Sequence, residues 1–187
     1  VLEHAGRGPC AVLGTIAYEW PGVVRAAPNT TPGADLLQEL LAEARDAGCR
    51  AAAIEVSSHA LDQRRTEGVR FAAGIFTNLT GDHLDYHGSM DAYAASKARL
   101  FAALDAGAVA AVNVEDPWAP TMLRGLRSRV VRFGLDAPSR PDVTARDLRL
   151  SAEGVAFTLV TPSGAAEVRS PLVGRYNVLN LLGAAAA

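Results

Sequence analysis

Two stretches of this sequence gather side chains able to do chemistry. Ser57, Ser58 and His59 follow the apolar run AAAIEV (51–56), which carries Glu55, and Thr80, Asp82, His83, Asp85 and His87 follow the run FAAGIFTN (71–78). Both clusters fall where a strand is expected to end, and open α/β sheets place ligands at the C-terminal ends of their strands. Ser57, Ser58, Thr80 and Asp82 equally suit helix capping and loop chemistry, and both readings stay open. A charged Glu55 within a buried strand is costly, so a cation or hydrogen bonds should accompany it. His83 and His87 are spaced four apart, as in a helical zinc pair. The glutamate that would follow the first histidine is absent, the segment reads as a loop, and no third ligand pattern appears. Glu55 with one histidine suits magnesium better, since that ion uses few carboxylates, retained waters and substrate phosphates.

The basic residues carry a third clue. Of the 18 lysines and arginines, only Lys97 is a lysine. Arginine stays protonated in proteins, whereas a desolvated lysine can release its proton and act as a nucleophile. Ser89 can cap a helix on which Tyr93, Lys97, Leu100, Phe101 and Leu104 share one face. Two readings follow. Burial frees a neutral amine that reacts with carbon dioxide to give a carbamate, a carboxylate-like metal ligand, or the stem covers the core while the ammonium stays in water.

The elements that must position these groups read as an α/β fold, a mostly parallel sheet flanked by helices. Thr31 is expected to cap a helix with Pro32 at its first position. Leu36, Leu37, Leu40, Leu41 and Ala44 form its apolar stripe, and Gly48 ends it. Strands are expected at 51–56, at 71–78 with both faces covered, at AVAAVNV (108–114) and at RVVRFG (129–134). After Pro141 the pattern becomes an appended antiparallel β meander over 148–172, joined at Glu153-Gly154 and Ser163-Gly164. Val1 to Ala5 read as the tail of a helix, and the helical pattern from Asn177 stops uncapped at Ala187, so a piece of a longer polypeptide is expected.

Composition narrows the classes. With 187 residues, 49% hydrophobic and 20% charged, the chain reads as one ordinary globular domain, neither disordered nor a disulfide scaffold. The net charge of −2 gives no electrostatic case for nucleic acid or an anionic membrane. Apolar runs are too short for a membrane span and a signal-peptide layout is lacking. Cys10 and Cys49 are expected reduced and buried, which suits the cytoplasm. There is no G-x-x-x-x-G-K-[ST] loop, so a phosphate cradle must lie elsewhere if a nucleotide is used.

The segments NTTP (29–32), EVSSHALDQRR (55–65), FTNLTGDHLDYHGSMDAYAASKARLF (76–101), VNVEDPW (112–118) and GRYNVLNLL (174–182) together resemble the central ATP-binding domain of the Mur ligases, with its P-loop NTPase-like sheet. They are most similar to the MurE branch, which adds meso-diaminopimelate or L-lysine to UDP-N-acetylmuramoyl-L-alanyl-D-glutamate during peptidoglycan biosynthesis. The resemblance implies that 1–187 is that domain truncated at both ends, inactive alone, and that its partners are ATP, the UDP-muramoyl-dipeptide and a diamino acid. It implies transfer of the ATP γ-phosphate to the D-glutamate carboxylate, then attack of the amine on the acyl phosphate. It further implies magnesium at Glu55 and at a catalytic His83, and a carbamylated, catalytic Lys97 (N6-carboxylysine) holding a second ion. Asn29, Thr30, Thr31, Ser57, Gln63 and Arg65 would then meet the UDP-muramoyl-peptide, and Asn177 and Asn180 the adenine.

Some points depart from that pattern or stay open. Gly81 stands where the family often has arginine. Asn177 equally suits a helix cap. Asn113 and Asp116 match the family's NxDD-like segment as either nucleotide contacts or turn residues. A folylpolyglutamate synthase shares the ATP fold and acyl-phosphate logic, and a non-catalytic module using its sheet as an interaction surface is a third reading. EVSSHALDQRR and DHLDYHG favour the muramoyl enzyme, and a relict could dispense with Glu55, His83 and the lone lysine.

Overall fold

A computed structural model describes residues 3, 6, 8–81, 83–135 and 140–187. The expected helix over Val1 to Ala5 lies mostly outside the described residues, as does Asp82. The chain divides into two compact units, Val1–Val69 and Arg70–Ala187.

The first unit is built on a mixed sheet. Its strands are β1 (Cys10–Leu13), β2 (Ala17–Trp20), β3 (Val23–Ala26) and β4 (Ala51–Ile54), in the order β3-β2-β1-β4. The first three pair antiparallel and β4 pairs parallel to β1, with Cys10 opposite Ala51 and Leu13 opposite Ile54. β1 and β2 alternate inward and outward, so Ala11, Leu13, Tyr18 and Trp20 bury one face. Against that face lies α1 (Ala34–Asp46), which buries Leu37, Leu40 and Ala44 of the expected stripe. Burying Leu37 and Leu40 contributes about 1.5–3 kcal/mol each.

Three expectations are corrected here. α1 starts at Ala34 with Gly33 as its cap and no side-chain capping bond, because the Thr31 hydroxyl is committed elsewhere. β4 ends at Ile54, which leaves Glu55 beyond the strand and exposed. The Glu55 carboxylate is therefore not a buried charge in need of a cation. The cysteines are free, as expected, but half-buried rather than buried.

The second unit contains a parallel sheet of β5 (Ala73–Phe76), β6 (Val109–Asn113) and β7 (Arg129–Phe133), in the order β5-β6-β7. α4 (Met90–Ala102), with Ser89 capping it through the Ala92 N–H at 3.2 Å, and α5 (Ala119–Met122) cover one face. There Ala110 and Val112 of β6 join Phe76, Tyr93, Phe101 and Met122. On the other face α6 (Arg175–Ala186) presents Val178, Leu182 and Ala186 to Ala111 and Phe133. Gly183 brings this helix close, since a Cβ there would lie 3.0 Å from both Ile75 and Phe133. Two-sided cover explains why β6 is almost wholly apolar.

The meander comprises β8 (Thr144–Ser151), β9 (Gly154–Thr161) and β10 (Gly164–Ser170), antiparallel in the order β10-β9-β8. Its turns fall at residues 152–153 and 162–163, one residue before the expected junctions, with each glycine opening the next strand. At Gly154, φ is +144° and an added Cβ would overlap the Ser170 carbonyl. Val155 and Phe157 of β9 pack into the α6 core. Among the described residues no helix is long and apolar enough to cross a membrane.

Candidate functional site

In the first unit the sequence-selected residues form one hydrogen-bonded network around the end of β4. Thr31 is 1% exposed; its hydroxyl donates to the Glu55 carbonyl at 2.8 Å and accepts from the Ser57 N–H at 2.9 Å. Ser57 in turn caps α2 (Ser58–Asp62), its Oγ accepting the Ala60 N–H at 3.2 Å. The Glu55 carboxylate receives the Thr15 N–H at 3.0 Å and the Thr15 hydroxyl at 2.8 Å, both on Oε2. Thr15 Oγ1 also lies 3.0 Å from Thr30 Oγ1. The hydrogen bonds required of Glu55 thus come from Thr15, a residue the motif reading did not single out. Its signal was a Gly-Thr corner between two short alternating runs.

Arg65 holds the same network from its far side. Nη1 donates to the Thr31 carbonyl at 3.0 Å, and Nε and Nη2 reach Gln63 Oε1 at 2.9 and 2.5 Å. These partners are neutral, so the guanidinium keeps charge to offer an anion, with Gln63 fixing its plane. Asn29 enters through its backbone, its carbonyl accepting the Tyr18 hydroxyl at 2.5 Å. Burial pushes the Tyr18 phenol up, against the Asn29 hydrogen bond and the Arg65 charge, which pull it down.

The second unit places His83, His87 and Lys97 around one ring. His83 to Gly88 is not a loop as expected, because a helical turn, α3 (Leu84–His87), follows His83, which sits at its N-cap in the left-handed region with φ 61°. Tyr93 is 5% exposed. His87 stacks on it with centroids 5.0 Å apart, His83 meets it edge-on at 6.0 Å, and Lys97 Nζ lies 5.4 Å from its centroid. Lys97 is half-buried, on the face the periodicity assigned to it. Its head on an aromatic face is a cation–π arrangement, so neither full burial nor simple snorkelling describes it. Tyr93 was legible only as an apolar stripe residue.

At the C-terminal ends of β6 and β7, Asn113 Nδ2 donates to the Thr77 carbonyl at 2.7 Å, and Asp116 accepts the Leu79 and Trp118 N–H groups at 2.8 Å each. Both side chains therefore perform turn and loop chemistry. Glu115, missed by motif reading, accepts the Leu135 N–H and pairs with Arg175 at 3.1 Å, tying the start of α6 to the sheet. Asn177 does not cap α6, since Gly174 holds that position. Its Nδ2 donates to the Val173 carbonyl at 2.8 Å, and Asn180 Nδ2 donates to its Oδ1 at 3.3 Å.

Among the described residues no three His, Cys, Asp or Glu side chains converge as a ready metal cage. The donors fit magnesium in a limited sense. Glu55 is an exposed carboxylate with one oxygen fixed by Thr15, and His83 is an exposed imidazole. Lys97 as an ammonium repels a cation and would serve as a metal ligand only as a carbamate.

Comparison with known proteins gives consistent matches. A family model described as the Mur ligase middle domain matches residues 1–187. The UDP-N-acetylmuramoyl-L-alanyl-D-glutamate--2,6-diaminopimelate ligase of Synechococcus sp. (strain WH7803) is 47% identical over 193 residues, covering 100% of this chain and 38% of that protein. The protein of the same name from Geobacter sulfurreducens is 44% identical, covering 100% and 37%. A solved structure of a UDP-N-acetylmuramoyl-L-alanyl-D-glutamate--2,6-diaminopimelate ligase superposes with a TM-score of 0.86 at 34% identity, over 98% of this chain and 38% of that one. The apo form of L. casei FPGS shares the fold, with a TM-score of 0.66 at 17% identity. The chain spans somewhat over a third of the length of the curated relatives it matches.

Proposed function

Because this chain belongs to the Mur ligase family as its middle domain, we propose that it serves an ATP-dependent ligase joining 2,6-diaminopimelate to UDP-N-acetylmuramoyl-L-alanyl-D-glutamate. The observation that carries this reading is the match, at 47% identity over the whole of this chain and 38% of the relative, to a protein bearing that name. The likeness to FPGS at 17% identity supports the fold alone, so it does not favour a folate-type ligase. ATP and a UDP-linked substrate accord with the cytoplasm.

In the first unit Arg65, oriented by Gln63, offers its charge to an anionic group of the muramoyl-dipeptide. Asn29, Thr30, Thr31 and Ser57 line the same network, with Thr31 acting through its fixed backbone. In the second, Asn177 and Asn180 face the adenine, and the Glu115–Arg175 pair steadies the turn that carries them. The acid oxygen takes the γ-phosphoryl group and ADP leaves. The incoming amine then attacks the acyl carbon, and phosphate departs as the amide forms. Such chemistry depends on positioning and charge stabilisation. Magnesium, when bound, neutralises the phosphate charge. Glu55 is a proposed magnesium ligand of the first unit and His83 one of the second, and Lys97, after carbamylation, would help hold a second ion.

The test is a chimera of the Synechococcus ligase in which this chain replaces the aligned middle segment. The expected outcome is ATP-dependent formation of the UDP-muramoyl-tripeptide with diaminopimelate and loss of product with Arg65→Ala. A folded chimera that makes no product from either diaminopimelate or L-lysine overturns the reading.

A further inference from the structure

Asn113 and Asp116 each have one arm on their own turn and one on the loop that leads to His83. Asn113 is 4% exposed. Its Oδ1 accepts the Glu115 N–H at 3.0 Å, while its Nδ2 donates to the Thr77 carbonyl at 2.7 Å. Asp116 Oδ1 accepts the Trp118 N–H and Oδ2 the Leu79 N–H, both at 2.8 Å. Between these arms the chain leaves β5, and Leu79, 7% exposed, is anchored in the core. Four residues beyond Leu79 the backbone of His83 turns left-handed. For a residue with a Cβ that conformation costs about 1–2 kcal/mol and persists only where its surroundings enforce it.

The geometry points to Asn113 and Asp116 as positioning residues for His83, two struts that fix the loop before its left-handed turn and so set where the imidazole is presented. The inference rests on the proposed role of His83 toward magnesium. It assigns a purpose to both side chains that a nucleotide contact does not require, because both ends of each are already engaged within the protein.

Isosteric substitutions break one arm each. Asn113→Asp sets an acceptor against the Thr77 carbonyl while keeping the bond from Glu115. Asp116→Asn leaves one acceptor for two N–H groups, and the local Trp118 turn retains it. The experiment follows the histidine resonances of the 187-residue chain by NMR during titration with manganese(II), a paramagnetic stand-in for magnesium, with His83→Ala identifying the His83 signal. In the unsubstituted chain the His83 signal should broaden. In either variant the manganese concentration needed should rise about tenfold or more, the usual consequence of removing an outer-sphere support. Asp116→Asn should also speed amide exchange at Leu79. Asp116→Ser, too short to reach Leu79 but able to hold the Trp118 turn, replaces any variant that fails to fold. Faster Leu79 exchange with unchanged broadening overturns the positioning role. No broadening of His83 in the unsubstituted chain overturns the magnesium role of His83 and the inference together, and that failure is recognised because it needs no substitution.

Discussion

Thr31→Val tests whether the end of β4 is held by a single buried hydroxyl. The two side chains have nearly the same shape, so the change removes hydrogen bonding with little loss of packing. Thr31 Oγ1 serves both the Glu55 carbonyl and the Ser57 N–H, and it is 1% exposed. Leaving a buried donor or acceptor unsatisfied costs about 1–3 kcal/mol. Glu55 is exposed and its carbonyl recovers part of that from water, so the pair should cost about 2–4 kcal/mol together. The two compact units need not unfold together, which makes a single melting curve a poor reporter. Amide exchange at Ser57 reads the local effect directly, and it should quicken roughly thirtyfold or more. Thr31→Ser should restore most of the protection. Unchanged Ser57 exchange in Thr31→Val, in a chain of unaltered fold, refutes the staple and with it the reason Thr31 does not cap α1.

Other perturbations reach other parts of the account. Burial holds the Tyr18 phenol above its ordinary value, so the folded chain keeps that proton longer than the unfolded one. The resulting stability is complete below about pH 10 and is lost as pH rises through the folded value; Tyr18→Phe should flatten that alkaline loss in denaturation measured against pH. Gly154→Ala drives a methyl into the Ser170 carbonyl at a positive φ and should destabilise the meander by about 1–3 kcal/mol, seen as early exchange of the β9 and β10 amides. In the chimeric ligase Lys97→Ala should abolish ligation, with chloride or acetate restoring part of it, and Lys97→Arg should fail as well because guanidinium does not deprotonate. Wild-type turnover in either variant removes the carbamate role.

Much of the second unit was legible because its signals are local. The β6 run is apolar on both faces, the Ser89 cap and the Lys97 stripe lie within one helix, and the meander announces itself through alternation and glycine-led turns. The first unit was less so. β1 to β3 are four residues each, too short for a periodicity to register, although the alternation of Ala11, Leu13, Tyr18 and Trp20 is visible afterwards. Glu55 misled because the apolar run continues to Val56 while pairing stops at Ile54. Thr31 misled because a Thr-Pro pair suits a helix start, and its bonds to residues 24 and 26 positions away have no local signature. The struts from Asn113 and Asp116 and the Glu115–Arg175 pair were hidden for the same reason. Their partners come together only when strands distant in sequence lie side by side.

The central claim, ligation through an acyl phosphate, has a direct isotopic test. The D-glutamate carboxylate of the UDP-muramoyl-dipeptide is labelled with heavy oxygen, the chimeric ligase turns over with ATP and diaminopimelate, and the phosphate released is weighed. The account predicts that one labelled oxygen moves from the carboxylate into each phosphate as the amide forms. Tripeptide accompanied by unlabelled phosphate contradicts it.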